Sequence, residues 1–209
     1  MRKKNLVLLL LLSVLIIAPL FAQDEVKVRY KEYDKGSSMF TFRAGVSIPT
    51  FYYRPFKDPA IVAFPDEMNT KIGGLGSIRY QGFVNSYLAL GGELGYQFTY
   101  DDGEDLFTSV PFQAKLTYIP LQGTFEIPLS VGIGFAYNSY SGYEKPSFLS
   151  FLTTIEAGFS WYFKQNWGLT LSAGLDLIPE IYLAKHPHYD QSTLGAFMPI
   201  TLSITYRSN

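Results

Sequence analysis

The chain has 209 residues with formal net charge −1, 47% hydrophobic, 17% aromatic and 17% charged residues. That length favours one domain, and the near-zero charge offers nothing to nucleic acid. The absence of cysteine excludes a disulfide scaffold, a thiol nucleophile, a thiolate metal site and a lipidated N-terminal cysteine.

The chain opens on Arg2, Lys3 and Lys4. An apolar run from Leu6 to Ile17 follows, broken only by Ser13, and then Pro19-Leu20-Phe21-Ala22 before polar Gln23-Asp24-Glu25. A basic start, an apolar middle and a small-residue end make a secretory signal, with the cut expected after Ala22. The run is shorter than the roughly 20 residues a helical span needs. Residues 23–37 are charged and polar and are expected to form a periplasmic tail. Residues 38–209 are expected to form the folded domain.

From Ser38 onward the apolar residues recur every second position, the period of a strand. Phe40, Phe42, Ala44, Val46 and Ile48 alternate with Thr41, Arg43, Gly45 and Ser47. A glycine-rich second strand over 72–81 sets Ile78 and Tyr80 against Arg79 and Gln81. The third sets Leu88, Leu90, Leu94, Tyr96 and Phe98 against Ala89, Gly91, Glu93, Gly95 and Gln97. The fourth sets Val110, Phe112, Ala114, Leu116 and Tyr118 against Gln113, Lys115 and Thr117. The fifth runs from Ile127 through Val131, Ile133 and Phe135 to Tyr137. The sixth sets Ile155, Ala157, Phe159, Trp161 and Phe163 against Thr154, Glu156, Gly158 and Tyr162. The seventh sets Leu169, Leu171, Ala173, Leu175 and Leu177 against Thr170, Ser172 and Asp176. The last carries Leu194, Ala196, Met198, Ile200, Leu202, Ile204 and Tyr206 on its apolar face.

This gives about eight strands, each long enough to cross a bilayer at a tilt. Short connections (83–86, 120–124, 164–166) alternate with longer ones (49–71, 101–106, 138–147, 178–192), as short periplasmic turns and long outer loops would. The polar face is mostly Gly, Ser, Thr and Ala, too poor in charge for a water-facing surface and suited to a narrow lumen. Aromatics bound the apolar face; Tyr80, Tyr118, Trp161, Phe163, Trp167 and Tyr206 are expected at the membrane interface on the short-turn side. The expected fold is therefore all-β: a closed antiparallel transmembrane β-barrel of about eight strands in an up-and-down meander. A sheet that spans lipid has to close, because hydrocarbon offers no partner to an edge.

In this pattern the chain resembles the small eight-stranded outer-membrane barrels of the OmpW, OmpX and OmpA-transmembrane type. The resemblance covers about 38–206 and includes Phe40-Thr-Phe-Arg-Ala-Gly-Val-Ser-Ile-Pro49, similar to an OmpW-like opening strand. It implies location in the bacterial outer membrane, contact with its lipid or lipopolysaccharide, and insertion by the barrel-assembly machinery. Such barrels usually end on an aromatic; here Tyr206 ends the alternation and Arg207-Ser208-Asn209 follow.

About one charge per strand points inward, each near the middle of its strand. Arg43, Arg79 and Lys115 are matched by Glu93, Glu156 and Asp176, and buried charges need partners. A salt-bridged plug is the structural reading and a narrow ion path the functional one. Symmetric pairing about the 101–105 loop would set Glu93 opposite Lys115. No nucleophile or base stands out beside the carboxylates, so no catalytic residue is assigned and an enzyme is not expected. His186 and His188 fall short of the three or four converging ligands of a metal site, so neither a metal nor a cofactor is expected. The first outer loop is apolar, with Phe51, Tyr52, Tyr53, Phe56 and Phe64. It either covers the barrel mouth or, as OmpW-like resemblance would imply, admits small apolar solutes. The leading functional reading is a plugged barrel serving membrane structure or surface interaction. A conduit for small hydrophobic molecules is the alternative, and a lipid-modifying enzyme comes third.

Overall fold

A computed structural model describes residues 32–55, 60–63, 70–100, 105–141, 147–180 and 192–208. The expected signal sequence, Phe56, Phe64, His186 and His188 lie outside them.

The described residues form strands β1 (Ser38–Arg54), β2 (Ala60–Ala63), β3 (Gly73–Phe83), β4 (Leu88–Tyr100), β5 (Leu106–Tyr118), β6 (Phe125–Glu126), β7 (Leu129–Tyr140), β8 (Phe148–Tyr162), β9 (Trp167–Glu180) and β10 (Thr193–Ser208). Eight of them, β1, β3, β4, β5, β7, β8, β9 and β10, pair antiparallel in chain order, and β10 returns to pair with β1. The seam runs from Ser38 opposite Ser208 to Tyr53 opposite Leu194. β2 lies outside this ring, on β1, and β6 pairs with β8. The molecule is a closed eight-stranded antiparallel transmembrane β-barrel.

Its two faces are inverted relative to a water-soluble barrel. Phe42, Leu90, Leu94, Phe112, Ile133, Ile155, Leu171 and Leu202 are each more than half exposed on the outside, while Arg43, Arg79, Glu93, Lys115 and Gln113 are buried inside. A continuous apolar exterior of this kind is covered only by hydrocarbon. At the short-turn end Tyr80, Tyr118, Trp161, Trp167 and Tyr206 are exposed on the outer face, and Phe163 is half-buried in the turn after β8. Trp167 packs on Tyr206 at 5.0 Å, and Phe163 meets Trp161 edge-on at 6.0 Å.

Three expectations are corrected. Phe51, Tyr52 and Tyr53 do not lie in a loop; they continue β1. The register shifts between Pro49 and Phe51, and the Thr50 hydroxyl donates to the Ala196 carbonyl at 2.8 Å. A bulge lets the chain pass a proline, which has no N–H for the ladder, and still resume pairing with β10. The following residues turn back as β2 to make a hairpin, Phe51 opposite Ala63 through Arg54 opposite Ala60. Second, the fifth barrel strand starts at Leu129 rather than Ile127, because Phe125 and Glu126 form their own bridge to Trp161 and Ser160. Third, Glu93 sits opposite Gln113, and Lys115 opposite Gly91. Tyr100 pairs with Leu106, so the two strands are symmetric about residue 103, and that symmetry itself sets position 113, not 115, opposite Glu93.

Candidate functional site

The lumen is the one place where the polar residues of all eight strands converge, and side chains close it in three tiers. The middle tier is a charged knot. β3 and β4 set Arg79 directly opposite Glu93. β8 faces β3 across an eight-stranded ring, so Glu156 reaches Arg79 over the full width of the lumen. Arg79 Nε donates to Glu93 Oε2 at 2.9 Å, and its Nη2 donates to Glu156 Oε2 at 2.9 Å. Arg43 Nη2 bridges to Glu156 at 2.6 Å, and Nη1 pairs with Glu93. Lys115 Nζ lies 3.7 Å from each carboxylate and donates to Thr154 Oγ1 at 2.6 Å. Ser77 Oγ donates to Glu93 Oε1 at 2.6 Å. Asp176 joins Arg43 and Lys115 around a cavity on the outer-loop side. Both glutamates are thus held between the same three cations.

Gly132 makes this knot possible. It faces inward, and an added Cβ would stand 2.4 Å from both Gln113 Oε1 and Thr154 Oγ1, and 2.9 Å from Lys115 Cδ. Only a residue without a side chain lets Lys115 cross there.

The tier at the short-turn end was not foreseen from the sequence. Tyr33, in the segment before β1, enters the barrel mouth and is wholly buried. Its ring stacks on Phe83 at 3.9 Å between centroids. Its hydroxyl lies 3.0 Å from both oxygens of Glu126 and 3.3 Å from the Tyr162 hydroxyl. Burial, and next the neighbouring Glu126 charge, push the Tyr33 phenol up, so it stays a donor. Arg207, also fully buried, pairs with Glu126 at 2.7 Å and lies over the Tyr162 ring at 3.8 Å. Its Nε donates to the Gln165 carbonyl at 2.6 Å. The residue that interrupts an aromatic C-terminus is therefore the cation of a buried clasp. Glu126, beside outward Phe125 and Ile127, and Arg207, next to outward Tyr206, both stand at inward positions of the alternation. That was the available signal.

The tier at the outer-loop end is apolar. Phe107, Ala136, Leu152, Ile178 and Phe197 form a buried cluster inside the mouth, with Tyr52 and Tyr140 packed against it. Phe107 and Phe197 are parallel with centroids 6.2 Å apart, and Tyr52 meets Phe197 edge-on at 6.2 Å. Tyr53 and Ile61 of the β1–β2 hairpin stay exposed.

Between the tiers lie two polar cavities of about 30 Å³ each. The lower is lined by Thr41, Arg43, Gln81, Thr170, Ser203 and Thr205 among others, the upper by Arg43, Ser77, Glu93, Gln97, Lys115 and Asp176. That volume holds a water or two.

A protein-family model that carries no functional description matches residues 21–206. The chain belongs to that uncharacterised family. An uncharacterised protein of Borreliella burgdorferi is 28% identical over 185 residues, covering 78% of this chain and 80% of that one. An uncharacterised protein of Treponema pallidum is 27% identical over 97 residues, 46% of this chain and 43% of that one. The crystal structure of Neisserial surface protein A superposes with a TM-score of 0.52 over 84% of this chain and 99% of that chain, at 11% identity. At that identity the likeness is one of fold.

Proposed function

We propose that this protein is an exported bacterial outer-membrane barrel that does not conduct, and that it acts through its outer surface and loop end in membrane structure or surface interaction. The observation that carries this reading is the three-tier closure, above all the knot of Arg43, Arg79, Lys115, Glu93 and Glu156 across the lumen. Those side chains rise from strands held on both sides by ladders, so the knot yields only at the expense of the barrel itself. A wide general porin is incompatible with such a lumen. The outer-membrane location is supported by the apolar exterior and by the export signal expected over residues 1–22. No catalytic role is assigned to any residue.

Planar-bilayer recordings of the refolded protein test this directly. No single-channel steps are expected at any holding potential that the bilayer survives. A stable open level that disappears when Glu93 or Lys115 is replaced would refute it. Lipid A changed in composition on expression would instead bring back the lipid-modifying enzyme.

A second reading, a conduit for small hydrophobic molecules of the OmpW-like kind, draws on the apolar tier at the outer mouth. It predicts uptake of an apolar dye by expressing cells, and loss of that uptake on deletion of 51–64. Uptake that ignores the deletion would remove this reading.

A further inference from the structure

The three closures of the lumen differ in what holds them. The knot and the apolar tier are built from side chains of barrel strands. Tyr33 is not on a barrel strand. It belongs to a short segment folded under the barrel by a turn: Ser37 N donates to the Asp34 carbonyl at 3.0 Å, Asp34 N donates to Ser37 Oγ at 3.0 Å, and Gly36 adopts φ +101°. Only glycine enters that conformation freely. Beyond the turn, Phe83 N donates to the Ser37 carbonyl at 2.8 Å, which extends the β1–β3 ladder. Gly36 N also donates to the Phe83 carbonyl at 3.2 Å; the ladder ends there, and among the described residues the segment before Gly36 is tied to the barrel through the Tyr33 side chain.

We propose that residues 32–37 form a removable stopper, with Tyr33 as the bung and Gly36 as the hinge, whose withdrawal opens the lower half of the lumen to the periplasm while the knot keeps the upper half sealed. Withdrawal breaks one aromatic stack, the Tyr33 hydroxyl's hydrogen bonds to Glu126 and Tyr162, and the bond it accepts from Arg207 Nη1 at 3.3 Å. It costs at most the two bonds that Gly36 and Ser37 make to Phe83, and no rung within the eight-stranded ring. It uncovers a vestibule whose wall carries Thr41, Gln81, Ser160, Thr170, Ser203 and Thr205, with Met39, Ile119 and Pro128 between them. Arg207 and Glu126 stay paired with each other at its rim, so the mouth remains neutral when Tyr33 leaves. The vestibule ends at Arg43 and Arg79. The barrel is thus a blind cup facing the periplasm, suited to small polar molecules or water, rather than a channel. This rests on the closed-lumen reading above, and the two can fail separately.

The chain has no cysteine, so single thiols report access cleanly. Ser203→Cys places one in the lower cavity, and Ser47→Cys places one beyond the knot, where Gln97 now donates to the Ser47 hydroxyl. Each full-length mature variant, refolded in detergent, is treated with a charged, water-soluble maleimide. With Tyr33 intact both thiols react slowly. Tyr33→Phe keeps the stack on Phe83 but loses the bonds to Glu126, and about a ten-fold faster reaction at position 203 is expected from the loss of a hydrogen bond to a charged group. Tyr33→Ala, where it folds, raises the rate further. Position 47 stays slow throughout. Equal rates at position 203 with Tyr33 and Tyr33→Phe would overturn the stopper. A rise at both positions would instead overturn the closed knot.

Discussion

Glu93→Gln is the sharpest test of how the lumen is held. The change keeps the side-chain volume and removes one charge from the centre of the knot. In the native barrel Glu93 accepts from Arg43, Arg79 and Ser77 and lies 3.7 Å from Lys115. Its side chain is 4% exposed, and those of Arg79 and Lys115 are 8% and 1% exposed. After the substitution three cations face Glu156 as the one carboxylate in direct contact. Removing one partner of a buried ion pair costs about 3–5 kcal/mol, because it leaves charge uncompensated in a low-dielectric interior. At about 1.4 kcal/mol per decade, that is a drop of roughly two to three and a half orders of magnitude in the folding equilibrium. Urea unfolding in phospholipid vesicles measures it, and the only two tryptophans, Trp161 and Trp167, report the transition at the short-turn end. The midpoint should fall at unchanged slope, since the surface exposed on unfolding is the same. Adding Arg43→Met should return part of the loss, because it removes one of the surplus cations, and the non-additivity gives the coupling between the two. A Glu93→Gln barrel within about 0.5 kcal/mol of wild type, the range of an inert surface change, would mean that water already screens the lumen. The salt-bridge account of closure would then be wrong.

Arg207→Met strands Glu126 without its cation inside the clasp and should cost about 3–5 kcal/mol; a urea midpoint equal to wild type would show that Tyr33 alone satisfies the carboxylate. Gly132→Val puts carbon where Lys115, Thr154 and Gln113 already stand, and overpacking of about 1–3 kcal/mol is expected in the same titration. Leu94→Arg, on the lipid face of β4, should destabilise by about 2–4 kcal/mol in vesicles if that face lies near the bilayer midplane. No loss there would place β4 away from hydrocarbon. Phe107→Ser with Phe197→Ser opens the outer mouth but leaves the knot, so planar bilayers should still show no steps; a conducting double variant would make the apolar tier, not the knot, the seal.

Much of the barrel is legible in the residues because its rule is local. Alternation places Phe42, Leu94 and Leu202 on one face and Arg43, Glu93 and Ser203 on the other regardless of which strand pairs with which. The same rule put six charges into one lumen. It says less about partners, and there the reading from sequence went astray: pairing about the 101–105 loop sets Glu93 opposite Gln113, and Lys115 approaches Glu93 diagonally at 3.7 Å. The bulge at Pro49–Phe51 escaped for a similar reason. A proline reads as the end of a strand, but pairing with β10 carries the chain past it, and β10 lies some 150 residues away in the sequence.

The clasp was legible least of all. Tyr33, Glu126, Tyr162 and Arg207 come from a pre-strand segment, a two-residue bridge, the end of β8 and the end of β10. Only closure of the ring brings them within hydrogen-bonding reach. By itself the sequence determined that this chain makes a sheet with a lipid face and a small-residue, charge-bearing face, because period two and side-chain chemistry are read one strand at a time. The tertiary structure alone decided the register at which the eight expected strands close, that two glutamates and three cations meet at the centre of the ring, and that the segment before the first strand seals its foot. Each of those depends on distances between residues far apart in the chain, which are set when β10 meets β1.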